Sequence, residues 1–221
     1  INNMTHEFKT PLTNIGLATK MLQKQQAVQA PKTTQYTNII LTERNKLNHQ
    51  VEQILSIAAL ERGEIPLHKT TVDIHALLEQ LVQCFRLRLD ANKGNISIAV
   101  LAQNVTIQAD QGQVSNALSN LLDNAIKYAR EAVNIRIQIS NKNQKLHLTI
   151  RDNGIGIPSQ YQQQVFDTFF RVPTGNVHDV KGFGIGLAYV KKVIELHQGN
   201  ITLHSTVGTG TTFTITLPYE Q

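Results

Sequence analysis

The 221 residues contain a single cysteine, Cys84. One thiol excludes an internal disulfide and suits a reducing compartment. No run of eighteen apolar residues occurs, so no segment reads as a membrane-spanning helix. There is no Cys/His set at zinc spacing and no basic cluster interleaved with aromatics, which disfavours nucleic acid as a partner. Glycine is scarce at one end only: residues 1–62 hold Gly16 alone, whereas Gly154, Gly156, Gly175, Gly182, Gly184, Gly186, Gly199, Gly208 and Gly210 crowd residues 152–221. A glycine-poor helical part therefore precedes a loop-rich part. Position 1 is not methionine and helical periodicity is already running there, so the chain is expected to be a fragment of a longer one.

What is present supports a folded protein of one large or two ordinary domains, because 41% hydrophobic residues can supply a core. The formal charge of +5 suits an anionic ligand or an acidic partner, and equally an ordinary dispersed surface excess. Met4, Phe8, Pro11, Ile15, Ala18 and Leu22 recur at steps of four and three, the seam of a bundled helix running to about Gln26. His6 and Glu7 lie off that seam, an imidazole beside a carboxylate that can orient it and sustain its basicity. Thr10 follows His6 by four residues on the same face. Pro11 costs a helix about 3 kcal/mol and kinks or breaks it. The polar stretch 30–34 is expected to end this helix. A second one carries Tyr36, Ile40, Leu47, Val51, Ile54, Leu55 and Ala58 and stops near Gly63. One antiparallel hairpin is too thin to bury so wide a stripe, so a second copy is expected to complete a four-helix bundle.

After a link over 64–71, a helix is expected from Val72, then two short strands, 95–100 and 105–109, separated by a turn. Asp110 and Gln113 have the spacing of a helix cap. The helix that follows puts Asn120, Asn124 and Lys127 on one face, a stripe that is either a solvated surface or a metal-phosphate site. Val133, Ile135, Ile137 and Ile139, then Leu146, Leu148 and Ile150, alternate as two strands joined at 141–144. The second strand ends in Asp152-Asn153-Gly154-Ile155-Gly156, where an acid meets a turn that lets a flat ligand approach. A short helix precedes Phe166-Asp167-Thr168-Phe169-Phe170-Arg171. Gly182-Phe183-Gly184-Ile185-Gly186-Leu187 then opens a helix after a polar loop. A dinucleotide fold would need a buried strand there, so the motif reads as a hinged lid leading to phosphate-facing N–H groups. Strands 201–205 and 212–217 close the chain around Gly208-Thr209-Gly210.

In this order, NLLDNAIKY, DNGIGI, FDTFFR, GFGIGL and GTGTTF resemble the nucleotide boxes of the catalytic domain of sensor histidine kinases, and HEFKTPL resembles their phosphoacceptor motif. The resemblance covers essentially the whole chain. It implies an α+β protein: a helical hairpin forming a dimeric four-helix bundle (1–63), a linker (64–71) and an α/β sandwich ATP-binding domain of the GHKL type (72–221). It implies ATP and Mg²⁺ as cofactors, His6 as the phosphorylated residue, Glu7 as its assistant, and Thr10 as the residue positioning water for dephosphorylation of a partner. Asn124 would ligate Mg²⁺, and Asn120 and Lys127 would lie by the phosphates. Asp152 would read the adenine amine, with Gly154 and Gly156 lining its pocket. Tyr128, Ile157, Phe169, Arg171, Gly182, Gly184, Gly186, Leu187 and Thr211 complete the implied nucleotide contacts, with 171–186 as the lid. Ala129 and Ile185 depart from the usual pattern without removing a needed chemical group. The implied partners are a response-regulator receiver domain and a second copy of the chain. This part would be cytoplasmic and make no membrane contact itself, with the whole protein anchored in the bacterial inner membrane. An ATP-gated clamp resembling gyrase or heat-shock chaperones is disfavoured by the His6–Glu7 hairpin, and the intact polar groups argue against a dimeric scaffold that binds ATP without turnover.

Overall fold

A computed structural model of the chain describes residues 2–24, 30–61, 66–91, 94–130, 132–173 and 184–219. The turn between the first two helices, residues 64 and 65 of the expected link, and most of the expected lid with Gly182 lie outside the described residues. The side chains of His6 and Glu7 do too.

Helices α1 (Asn2–Lys24) and α2 (Ala30–Glu61) pack along each other as a hairpin. On α1 the seam is as expected: Pro11 and Ala18 are buried, and Phe8, Ile15 and Leu22 half-buried. Pro11 does not end the helix, which runs on to Lys24. Its ring is buried on the seam, and that packing offsets the lost backbone bond. The stretch 30–34 starts α2 rather than merely ending α1, because proline is tolerated in a helix's first turn, where N–H groups have no intrahelical partner. Leu12 and Leu17 on α1 and Leu55 on α2 are 57%, 56% and 61% exposed, so the hairpin leaves apolar surface uncovered.

The rest is a two-layer sandwich. A sheet of order β2-β4-β5-β7-β6 packs one face against helices α3 (Ile74–Ala91), α4 (Gln111–Lys127) and α5 (Gly186–Leu196). Its strands are β2 (Asn95–Val100), β4 (Asn134–Lys142), β5 (Lys145–Asp152), β6 (Asn200–Thr206) and β7 (Gly210–Pro218). β2 runs parallel to β4 and the other pairs are antiparallel. β1 (Thr70–Asp73) and β3 (Thr106–Ala109) form a separate antiparallel pair. One sequence expectation is corrected here. Val72 lies in β1, and α3 starts at Ile74, because Asp73 accepts the Ala76 N–H (2.9 Å) and so marks the helix start. The two short strands expected after α3 are present, β2 and β3, and they lie in different sheets. Their alternation is legible locally, but pairing is set by which strand arrives alongside.

The β4–β5 hairpin follows the alternation closely: Ile135, Ile137, Ile139, Leu146, Leu148 and Ile150 are all buried. It turns at Asn143 and Gln144, both at positive φ (52° and 56°), the backbone of a tight primed turn. The expected short helix before the Phe-rich stretch is instead two single 3₁₀ turns, Ser159–Tyr161 and Gln164–Phe166. Among the described residues no helix is long and apolar enough to cross a membrane.

Candidate nucleotide site

α4 is aimed by its cap. The Asp110 carboxylate accepts the Gln113 N–H at 3.0 Å and the His68 N–H at 3.0 Å. Burial works against its charge, but these N–H groups outweigh it and hold the carboxyl below the usual range. The expected reciprocal half of the cap is absent. The Asp110 N–H donates to Nε2 of buried His197 (2.9 Å), and Gln113 Oε1 accepts the Tyr189 hydroxyl (2.6 Å). Two side chains at opposite ends of α5 thus lock it against the start of α4, a junction the sequence did not signal.

Held this way, α4 buries Leu118, Leu121, Leu122 and Ala125 and turns Asn120, Asn124 and Lys127 toward a cavity of about 680 Å³. Tyr128, Asp152, Gly154, Gly156, Ile157, Arg171, Gly184, Gly186, Leu187 and Thr211 also line it. The cavity therefore gathers every nucleotide residue expected from sequence except Phe169, which does not line it, and Gly182, which lies outside the described residues. His6, Glu7 and Thr10 belong to α1, and Thr10, the one of the three whose side chain is described, is not part of this lining.

At the end of β5, Oδ1 of Asp152 accepts the N–H groups of Gly154 (2.8 Å) and Thr211 (3.0 Å). Both donors sit on one oxygen, which leaves Oδ2 suited to a ligand's amine. Burial pushes this carboxyl above the usual range, and the two N–H bonds only partly counter it. The neighbouring backbones are very close. A Cβ on Gly210 would stand 2.1 Å from the Asp152 carbonyl oxygen, and one on Gly156 2.2 Å from that of Thr206. Both glycines have positive φ, 128° and 72°. Gly210→Ala is accordingly expected to destabilise the protein by about 2–4 kcal/mol, and thermal unfolding checks this.

Sequence reasoning missed Ser205, buried on β6. Its hydroxyl accepts the Ile157 N–H (2.8 Å) and donates to the Gly210 carbonyl (2.9 Å), tying the Asp152 turn to the last hairpin. A small polar residue at an inward strand position was the available signal. Arg88 and Asp123, an ion pair at the cavity wall, were missed as well, since they lie on separate helices.

At the other end, Gly186 starts α5 so close to Asn120 that a Cβ would meet Asn120 Oδ1 at 2.8 Å. An α-helix N-terminus beside amides and a lysine is suited to phosphate. Asn124 could give a cation one amide oxygen. Among the described residues no group of three His, Cys, Asp or Glu could hold a metal, so further ligands would be phosphate oxygens and water, the habit of Mg²⁺.

A sandwich with this polar helix, buried acid and glycine-lined turns defines an ATP-binding domain of the GHKL class. Residues 109–221 match the family described as histidine kinase-, DNA gyrase B- and HSP90-like ATPase, and residues 1–63 match the His Kinase A phosphoacceptor domain. The chain belongs to the sensor histidine kinases of two-component systems. It is 41% identical over 221 residues to the sensor protein RprX of Bacteroides fragilis, an alignment covering 99% of this chain and 43% of RprX. The chain thus spans less than half the length of that relative. Among solved structures, full-length ShkA in complex with AMPPNP superposes with a TM-score of 0.77 at 26% identity, over 100% of this chain and 45% of that one. The histidine kinase ThkA in complex with the response regulator TrrA shares the fold, with a TM-score of 0.73 at 23% identity, over 99% of this chain and 60% of that one.

Proposed function

We propose that the chain transfers the γ-phosphoryl group of Mg²⁺-ATP to His6 and passes it on to an aspartate of a response-regulator receiver domain. The convergence of Asn120, Asn124, Lys127 and Asp152 with the start of α5 on one cavity carries this reading. Residues 1–63 serve as the dimerisation and phosphoacceptor unit, 64–71 as the link, and 72–221 as the ATP-binding unit. Asp152 accepts the adenine amine through Oδ2. Gly154, Gly156, Ile157 and Thr211 line the base pocket, and Tyr128 and Leu187 continue its wall. Lys127 and Asn120 lie by the phosphates, with Arg171 and Gly184 to Gly186 closing over them. Asn124 would hold Mg²⁺, which when bound neutralises phosphate charge. Neutral His6 supplies the nucleophile, and Glu7 keeps it basic and oriented. ShkA was captured with AMPPNP and ThkA with a response regulator, which supports both the nucleotide and the partner proposed here.

The test is incubation with γ-labelled ATP and Mg²⁺. Acid-labile, base-stable label on the protein is the expected result; acid-stable label would overturn the reading.

The same hairpin is proposed to dephosphorylate the regulator, with exposed Thr10 orienting water one turn after His6. Thr10→Ala should spare autophosphorylation and slow regulator dephosphorylation by about 10-fold or more, read as decay of labelled regulator. Equal loss of both activities would contradict this role. A second copy covering Leu12, Leu17 and Leu55 would complete the four-helix bundle. The whole protein is proposed to be anchored in the bacterial inner membrane, with this part in the cytoplasm.

A further inference from the structure

The face of the five-stranded sheet turned away from the helices carries a charge pattern that the kinase reading does not use. Because strand residues alternate between faces, the outward positions of β4 and β5 include Arg136, Lys142, Lys145 and Arg151, all exposed. The register sets Arg136 directly opposite Arg151 and Lys142 directly opposite Lys145. Like charges opposed across an antiparallel pair destabilise it. Nothing on the face offsets the cost: no outward position of the five strands is Asp or Glu, and among the described residues none of the four cations has an ion pair. Asp152, the one acid in β5 beyond these positions, has the opposite parity and lines the cavity. His147 and His204 stand on the same outward face, separated by the threonines of β7.

We propose that this face docks an acidic segment of another protein. Its carboxylates would lie between the opposed cations, forked onto Arg136 and Arg151, and take further hydrogen bonds from the threonine hydroxyls. An anion between each like-charged pair turns the repulsion into attraction, so the cost in the free protein is recovered on binding. The outward positions of β4 to β7 hold no Phe, Tyr or long aliphatic side chain. The face therefore lacks a stacking platform for nucleic-acid bases and an apolar wedge for a bilayer, which favours a polypeptide partner. The charge excess of the chain is thus partly concentrated on one side. That side is the reverse of the nucleotide cavity, and the two can be occupied together.

Binding of fluorescent poly-L-glutamate, followed by anisotropy across a salt series, tests the proposal. Expected is binding that weakens steeply with salt, falls about 10-fold or more in the Arg136→Glu/Lys142→Glu double variant, and is unchanged by Lys32→Glu on α2 or by a saturating non-hydrolysable ATP analogue. Arg136→Glu alone sets an acid opposite Arg151, so it should also raise the melting temperature by about 1–4 °C. Arg136→Gln, which adds no charge, should weaken binding without lowering the melting temperature. Equal loss in Lys32→Glu, displacement by the ATP analogue, a fall in melting temperature for Arg136→Glu, or no binding at all would overturn the proposal. So would tighter binding, at equal salt and with the same loss in the double variant, to phosphatidylglycerol vesicles or single-stranded DNA.

Discussion

Replacing His6 by glutamine is expected to reduce acid-labile phosphoprotein to background while leaving ATP affinity unchanged. The reason is the separation of parts. His6 belongs to α1, whereas the cavity is lined from α3, α4, α5 and the sheet, so the substitution is expected to remove the proposed nucleophile and leave the proposed nucleotide cavity intact. Glutamine keeps polarity and approximate length but offers no basic nitrogen, and nothing else one turn along the helix can replace it, since Thr10 has an unactivated hydroxyl. Label measured after acid and base treatment, alongside fluorescent-nucleotide binding, gives the two readouts. Retained label in the variant would move the phosphorylation site elsewhere. Lost label with lost ATP binding would mean that the helical hairpin supports the cavity directly.

Asp152→Asn has the second large effect, and its sign differs between binding and folding. Asparagine keeps Oδ1, so the bonds from Gly154 and Thr211 persist. It replaces Oδ2 with an amino group facing the ligand's amine. One charge-assisted hydrogen bond is lost and two donors confront each other, worth about 3 kcal/mol, or roughly 100-fold in ATP affinity. Folding responds the other way. Burial raises this carboxyl's pKa, so the native state holds its proton more tightly than the unfolded chain does. Stability therefore falls as pH rises from the unfolded value toward the raised folded one and stays lower above it. At neutral pH the buried carboxylate is a cost to folding. The variant without ligand should melt no lower than the parent, and this difference in melting should shrink in acid. Calorimetry across pH, with and without ATP, separates the two effects. A drop in melting temperature at neutral pH would show that the charge stabilises the turn.

The α4 stripe illustrates what could be read in advance. Asn120, Asn124 and Lys127 share a face by helix geometry alone, and the apolar residues between them say which side is buried. The same holds for the β4–β5 hairpin, where alternation over adjacent strands determines both register and inner face. The separation of β2 from β3 was not legible, since neither strand's sequence names its neighbour. Nor were the His197 and Tyr189 bonds that lock α5 to α4, or the role of Ser205 beneath the Asp152 turn.

By itself, then, the sequence determined most of the elements, the family and nearly all the expected residues that line the cavity, because helix and strand periodicities and the order of short motifs are local quantities. The tertiary structure alone decided which strands pair, how α5 is held, where Arg88 meets Asp123 and how the cations of β4 and β5 confront one another. Each of these depends on residues distant in the chain reaching hydrogen-bonding or Coulombic range, and no local pattern records such a distance.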